Sequence, residues 1–160
     1  MSYYLKIRQK IGHDPLFSPG ASIIVYEHNK YLLQFRNDFK VWGLNGGAMD
    51  LGETAQETAL RELQEETNLK ALEIYPFKTF TGKQFIIAYP NNDVIYPIVM
   101  AFVVTKTEGK MKIQKEEVKR LKWFEEEKLP INKMMEIDKI FLKEFIAIKN
   151  KKIKNLPTIS

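Results

Sequence analysis

The sequence predicts an α/β or α+β sandwich, and three features of the 160-residue chain point to it. Short β-branched runs flank a glycine-dense loop and a strongly helical segment, further strand-like runs follow, and an amphipathic helical pattern comes near the end. The length suits one domain. With 44% hydrophobic and 28% charged residues and no low-complexity stretch, the chain should form a packed core.

The opening residues up to Arg8 are amphipathic and fit more than one structure, while Gly12 to Gly20, broken by Pro15 and Pro19, reads as loop. ASIIVYE from Ala21 and YLLQFR to Arg36, separated by a short turn, read as a hairpin of two buried strands. The following segment, through Glu53, holds Gly43, Gly46, Gly47 and Gly52, and a loop of that length inside a compact domain is usually functional. Thr54 with Glu57 three residues later forms a capping-box pattern, and good helix formers continue to Thr67. Asn68 then stands where a residue able to enter the left-handed region is expected. LEIYPFKTF, GKQFIIAYP and VIYPIVMAFVVT read as strands, the last two joined by YPNND as a second hairpin. Arg120 to Phe124 reads as a short strand that Leu129-Pro130 brings to an end. A final helix over Lys133–Lys149 is predicted to bury Ile137, Ile140, Phe141, Phe145 and Ile148. The tail, with Lys149, Lys151, Lys152 and Lys154, should be mobile, which divides the chain into one domain over 1–150 and a basic tail over 151–160.

Composition narrows the chemistry. Cysteine is absent, which excludes disulfides, a thiol nucleophile and thiolate metal sites. His13 and His28 are the two histidines, too few for a multi-histidine metal centre. No apolar run has the length of a membrane span, and the start is too polar for a signal peptide, so a cytoplasmic protein without membrane contact is expected. The net charge is +5, yet Asp50 to Glu66 holds six carboxylates against Arg61, a local −5 that leaves +10 elsewhere. An acidic focus in a basic chain suits a cation and a polyanionic ligand, although a solvated acidic helix would give the same count.

Glu62, Glu65 and Glu66 fall on one flank of the predicted helix, within roughly 100° of arc at 3.6 residues per turn. Like charges so placed cost a few tenths of a kcal/mol per pair. A hard divalent cation such as Mg²⁺ or Mn²⁺ would relieve that cost. On this reasoning Glu66→Gln should leave the metal-free protein as stable as before, or slightly more so. Gly46 and Gly47, in the loop leading to the helix, would let backbone approach a metal or phosphate.

Gly47, Glu53, Arg61-Glu62-Leu63, Glu65-Glu66 and Leu69 stand in the spacing of the Nudix box, G-x5-E-x7-R-E-U-x-E-E-x-G-U, with Asn68 in place of the second glycine. With Trp42-Gly43-Leu44 upstream and the strands downstream, the chain resembles the Nudix family over nearly its whole length. Asn45 stands where that family often has proline. The resemblance implies a Nudix-type α/β/α sandwich with a mixed sheet and a metal-dependent hydrolase of a nucleoside diphosphate linked to another moiety. The linked compound could be a nucleotide sugar such as ADP-ribose, a dinucleoside polyphosphate or a nucleoside triphosphate. It implies Mg²⁺, with Mn²⁺ as the alternative, on Glu62, Glu65, Glu66 and the Gly46 carbonyl. Arg61 would orient the carboxylates and Glu53 would support loop and helix. Glu62 is the first choice of general base, with Glu116 or Glu117 second. Arg36 could reach a phosphate, and Tyr89 is taken, with Phe80, Phe85 and Tyr96, as a candidate for base stacking. A small nucleotide is the expected partner and a homodimer is compatible with the family. A non-catalytic nucleotide sensor and an RNA 5′-end pyrophosphohydrolase using the basic tail are the competing readings.

Overall fold

The computed structural model describes residues 2–113 and 118–152, the side chains through Lys149. A short helix α1 (Tyr3–Ile11) precedes β1 (Leu16–Glu27) and β2 (Lys30–Arg36). The turn between those strands carries His28 and Asn29 at φ 50° and 60°, the paired positive values that a two-residue hairpin turn needs. Two short strands follow, β3 (Trp42–Gly43) and β4 (Asn45–Ala48), then α2 (Ala55–Thr67). The chain continues through β5 (Lys70–Phe80), β6 (Ile87–Ala88), β7 (Val94–Glu108), β8 (Val118–Glu125) and α3 (Glu136–Lys152).

Strand β1 organises the mixed eight-stranded sheet. Along one edge its first half pairs with β4, Gly20 opposite Ala48 through Ile23 opposite Asn45, and its end pairs with β2, Val25 opposite Leu32. Along the other edge it runs parallel to β7, Leu16 opposite Ile95 through Val25 opposite Val104. The remaining ladders, β2 with β3 and β8 and β7 with β5 and β6, are antiparallel.

Alternation along these strands builds two cores on opposite faces. Ile23, Val25, Leu32, Phe102 and Val104 face α2, where Ala59 and Leu63 cover them. Ile24, Tyr31, Leu33, Ala101 and Val103 face α3, which supplies Ile137, Phe141, Leu142 and Phe145. Phe141 stacks on Phe80 with ring centres 3.8 Å apart. Helix, sheet and helix therefore form three layers, the expected α/β/α sandwich.

The structure corrects several boundaries. The stretch read as loop to Gly20 is already strand from Leu16, because the parallel ladder to β7 holds Pro19 despite its missing N–H. The glycine-dense loop contains β3 and β4, too short for a periodic signal. GKQFIIAYP forms a 3₁₀ turn over Lys83–Phe85 and the two-residue β6, so the second hairpin is present but brief. The last helix starts at Glu136 and reaches Lys152, past the division at residue 150; residues 153–160 of the tail lie outside those described. Ile148 is 43% exposed. Lys149 takes the inward position instead: its ammonium binds the Tyr31 hydroxyl at 2.9 Å and Glu126, and lies over the Tyr26 ring. Lys149 is thus an anchor of α3, although the sequence assigned it to the mobile tail. Among the described residues no helix is long and apolar enough to cross a membrane.

Candidate active site

Helix α2 begins as its sequence dictates. Thr54 Oγ1 accepts the Glu57 N–H at 3.2 Å while Glu57 Oε2 accepts the Thr54 N–H at 2.7 Å, closing the capping box. It ends on Asn68 at φ 63°, whose N–H returns to the Gln64 carbonyl at 2.9 Å, so asparagine performs the turn expected of glycine.

Between those ends Arg61 is the hub. Its Nε and Nη2 grip both oxygens of Glu53 at 2.6 and 2.9 Å, Nη1 donates to Glu62 at 2.6 Å and to Glu65 at 3.4 Å, and Nη2 also reaches the Ala48 carbonyl at 3.1 Å. These hydrogen bonds, Glu53's foremost, keep the guanidinium firmly protonated. In return, the Arg61 hydrogen bond, helped by the Asp50 N–H and Thr58, outweighs desolvation and holds the Glu53 carboxyl down at about 2. Glu53 therefore ties the loop to the helix.

Glu62 is 5% exposed and lies against Gly47, where a Cβ would come within 2.5 Å of its Oε1. A side chain at position 47 would push that carboxylate from its place. Glu66 is 4% exposed and oriented by amide donors: Oε1 accepts Gln34 Nε2 at 3.1 Å, and Oε2 accepts the Gly46 N–H at 3.0 Å and Asn45 Nδ2 at 3.1 Å. Gln34 is buried, and its Nε2 donates also to the Leu44 carbonyl at 2.9 Å. Asn45 is fully buried, with its Oδ1 lacking a hydrogen-bond partner.

Gly46, Glu62, Glu65 and Glu66 are thus gathered beside one another. Among the described residues no three acidic or histidine side chains are arranged to hold a metal ion. The hydrogen bonds explain this, since Arg61 draws Glu53, Glu62 and Glu65 to itself and Glu66 turns to amides. The donors are all oxygens, the set that suits a hard divalent cation, and Asn45 Oδ1 adds a buried acceptor in want of a partner beside them.

A cavity of about 630 Å³ opens against this cluster, with Gln34, Asn45, Gly46, Gly47, Arg61 and Glu66 in its wall. Arg36 and Tyr89, both named from the sequence, line it as well. Arg36 is paired with Asp38 at 2.7 Å and lies 5.3 Å from the Phe39 ring, which in turn sits 5.0 Å from Tyr89. Burial pushes the Tyr89 phenol up, so it remains a neutral donor. Phe80 and Phe85 are buried in the α3-side core, which leaves them no open face for a base, and Tyr96 pairs with Phe17 and is not among the residues lining the cavity. Glu116 and Glu117 lie outside the described residues.

Asp138 was not expected. It is buried on α3, lines the cavity, and its Oδ2 accepts the Leu44 N–H at 2.9 Å beside Gly43, where a Cβ would meet it at 2.6 Å. Burial pushes its carboxyl up to about 6 against the opposing Leu44 N–H and Arg36 charge. A signal existed: position 138 shares the helical stripe of Phe141, Leu142 and Phe145, and a carboxylate there demands an explanation. Gln34 and Asn45 gave no such sign.

A three-layer α/β domain whose loop–helix unit sets four glutamates and one arginine beside a cavity defines the class of protein. The NUDIX domain family profile matches residues 16–145, and the chain belongs to this family. A putative 8-oxo-dGTP diphosphatase of Bacillus subtilis (strain 168) is 44% identical over 57 residues, 35% of this chain and 38% of that relative. The match thus spans well under half the length of either protein. Among solved structures, a MutT protein from Bacillus halodurans superposes with TM-score 0.65 at 27% identity, covering 79% of this chain and 80% of that one. The NUDIX domain of Shewanella oneidensis NrtR, crystallised with ADP ribose, gives TM-score 0.70 at 18% identity over 94% of this chain and 100% of that chain, a likeness of fold.

Proposed function

We propose that the protein hydrolyses the pyrophosphate linkage of a nucleoside diphosphate joined to another moiety, with a divalent cation, Mg²⁺ or Mn²⁺. The observation that carries this reading is the Arg61-centred carboxylate cluster, which meets the cavity through Arg61 and the neighbouring Glu66, beside Arg36 and Tyr89. Glu62, Glu65, Glu66 and the Gly46 carbonyl would hold the cation, which when bound neutralises the bridging phosphates and lowers the pKa of a water.

The protein's own residues do the rest. Arg61 fixes the Glu53 carboxylate through two hydrogen bonds and the Glu62 carboxylate through one. Glu62, held between Arg61 and Gly47, is the proposed base that takes the proton of the attacking water. Gln34, Asn45 and the Gly46 N–H set the plane of Glu66. Arg36 supplies positive charge for a phosphate, and Tyr89 a ring and a neutral hydroxyl for the nucleoside. The Asp138 carboxyl, pushed up to about 6 by burial, lies at the cavity wall, where its protonated form can donate a hydrogen bond and its ionised form accept one.

The partial match to a diphosphatase of oxidised guanine nucleotides and the fold likeness to an ADP-ribose-bound domain support the substrate classes to try first. A cytoplasmic homodimer acting on small nucleotides completes the reading, with light scattering as the check on assembly. The function itself is tested by incubating the protein with 8-oxo-dGTP, ADP-ribose, NADH and diadenosine polyphosphates, with Mg²⁺ or Mn²⁺, and identifying products. Release of a nucleoside monophosphate from at least one supports it; no cleavage of any with either metal overturns it.

A further inference from the structure

We propose that α1 is part of the substrate site: a capping helix whose Tyr4 closes one side of the cavity against a nucleobase, held in place by a latch of Arg8, His13 and Asp93. This rests on reading the cavity as a nucleotide site. Helix α1 lies ahead of the residues that the NUDIX profile matches. Ser2, Tyr4 and Leu5 nevertheless line the cavity beside residues of the matched domain.

A nine-residue helix is marginal by itself in water and needs a tertiary reason to form. Core burial is not that reason. Its one buried residue is Arg8, while Tyr3 and Leu5 are 41% and 51% exposed. What seats it is a polar fixture at each end.

At the back, Arg8 donates to the carbonyls of Gly12 at 3.2 Å, Asp14 at 2.7 Å and Val94 at 3.0 Å. Asp93 stands 3.5 Å from the same guanidinium and 2.8 Å from His13 Nδ1, and Asn91 Nδ2 steadies its other oxygen at 3.1 Å. The His13 hydrogen bond foremost, with Asn91 and Arg8, holds the Asp93 carboxyl below its ordinary value. This latch ties α1 to the turn carrying Tyr89, Pro90 and Asn91, three further cavity residues.

At the front, the Tyr3 N–H donates to Asp50 Oδ1 at 2.6 Å, and the Asp50 N–H donates to Glu53 Oε2 at 3.0 Å. The helix is therefore strung between the base-side wall and the loop that supports the carboxylate cluster. Arg8 also fixes Tyr4, donating from Nε to its hydroxyl at 3.3 Å with the guanidinium 5.7 Å from the ring. Tyr4 and Tyr89 are near enough for one phenol to raise the other's pKa. Two aromatic rings at one cavity fit a flat, sequence-tolerant stacking partner.

The test uses the full chain and binding alone. AMP and dGMP are titrated calorimetrically into the parent, Tyr4→Ala, Tyr4→Phe, His13→Ala, and His13→Ala combined with Tyr3→Cys and Asp50→Cys. The chain has no other cysteine, so the crosslink is unambiguous. Tyr4→Ala should weaken binding by about 5–100-fold, the worth of one base stack, and Tyr4→Phe should restore it. His13→Ala should weaken binding roughly two- to fivefold. The oxidised crosslink should return that variant to parental affinity, and reduction should reverse the gain, a rescue that a merely structural histidine would not show. Parental binding by Tyr4→Ala, or a crosslinked protein no tighter than His13→Ala, would overturn the capping role. A parent that binds neither nucleotide would instead overturn the nucleotide reading of the cavity.

Discussion

Replacing Glu66 with Gln puts two arguments from the same residue in opposition. Charge repulsion between neighbouring glutamates predicts a metal-free protein that is unchanged or slightly more stable, by a few tenths of a kcal/mol. The structure predicts the reverse. Gln34 Nε2 faces one oxygen of Glu66, and the Gly46 N–H and Asn45 Nδ2 face the other. A glutamine amide must turn its own NH₂ toward one of those sides. Toward Gln34 it sets donor against donor. Toward Gly46 it does the same, even if the Asn45 amide turns over to offer its unpartnered Oδ1. Either way at least one hydrogen bond to a buried charged acceptor is lost, about 2–3 kcal/mol. At the roughly 2–4 °C per kcal/mol of a chain this size, melting should fall by about 4–12 °C without metal. Mg²⁺ should raise the parent's melting point and raise the variant's less. Thermal unfolding followed by circular dichroism, with chelator and with Mg²⁺, measures both. A metal-free variant melting within a degree of the parent would show that the amide cradle does not hold Glu66.

Gly47→Ala should cut turnover on the order of 10²-fold with the fold intact, because the new Cβ takes the place of the Glu62 carboxylate; steady-state kinetics with circular dichroism decides this, and unchanged turnover would remove Glu62 from the site. Arg36→Ala should raise KM by roughly 10–100-fold with a smaller effect on kcat, the value of a charge-assisted phosphate contact; an unaltered KM would leave Arg36 a mere partner of Asp38. Asp138 takes up its proton in the folded state at about 6, against 3.8 for the ordinary group, so its contribution is favourable at low pH and is lost as pH rises through 6. Asp138→Asn should therefore match the parent near pH 3 and exceed it by about 3 kcal/mol at pH 8, read from urea unfolding at both pH values; equal stability at pH 8 would show that Asp138 is not held against ionisation.

What was legible in the sequence is what depends on short-range spacing. The capping box, the left-handed Asn68, the shared flank of the three glutamates and the strand alternation all follow from offsets of two to four residues, and the structure keeps them. The elements that were missed depend on partners far along the chain. Strand β1 begins before Gly20 because β7, some 80 residues later, supplies its ladder, and nothing in SPGAS announces that. β3 and β4 are strands only because β2 and β1 pair with them. The same division holds in the site. Arg61 and Glu53 lie within one loop–helix unit, whereas Gln34, Asn45 and Asp138 reach it from β2, β4 and α3. Lys149 likewise finds Glu126 and Tyr31 only once α3 has packed.

In the proposed function the glutamates of α2 act through a divalent cation on a nucleotide in the adjoining cavity. Manganese binding to the parent, Glu62→Gln, Glu65→Gln and Glu66→Gln, read from the loss of the free-ion signal in electron paramagnetic resonance, tests that without reference to the substrate. The parent should bind Mn²⁺, nucleoside monophosphate should tighten the binding, and each substitution should weaken it at least tenfold. Parental Mn²⁺ affinity in all three variants would contradict the account, leaving the glutamates as partners of Arg61 and nothing more.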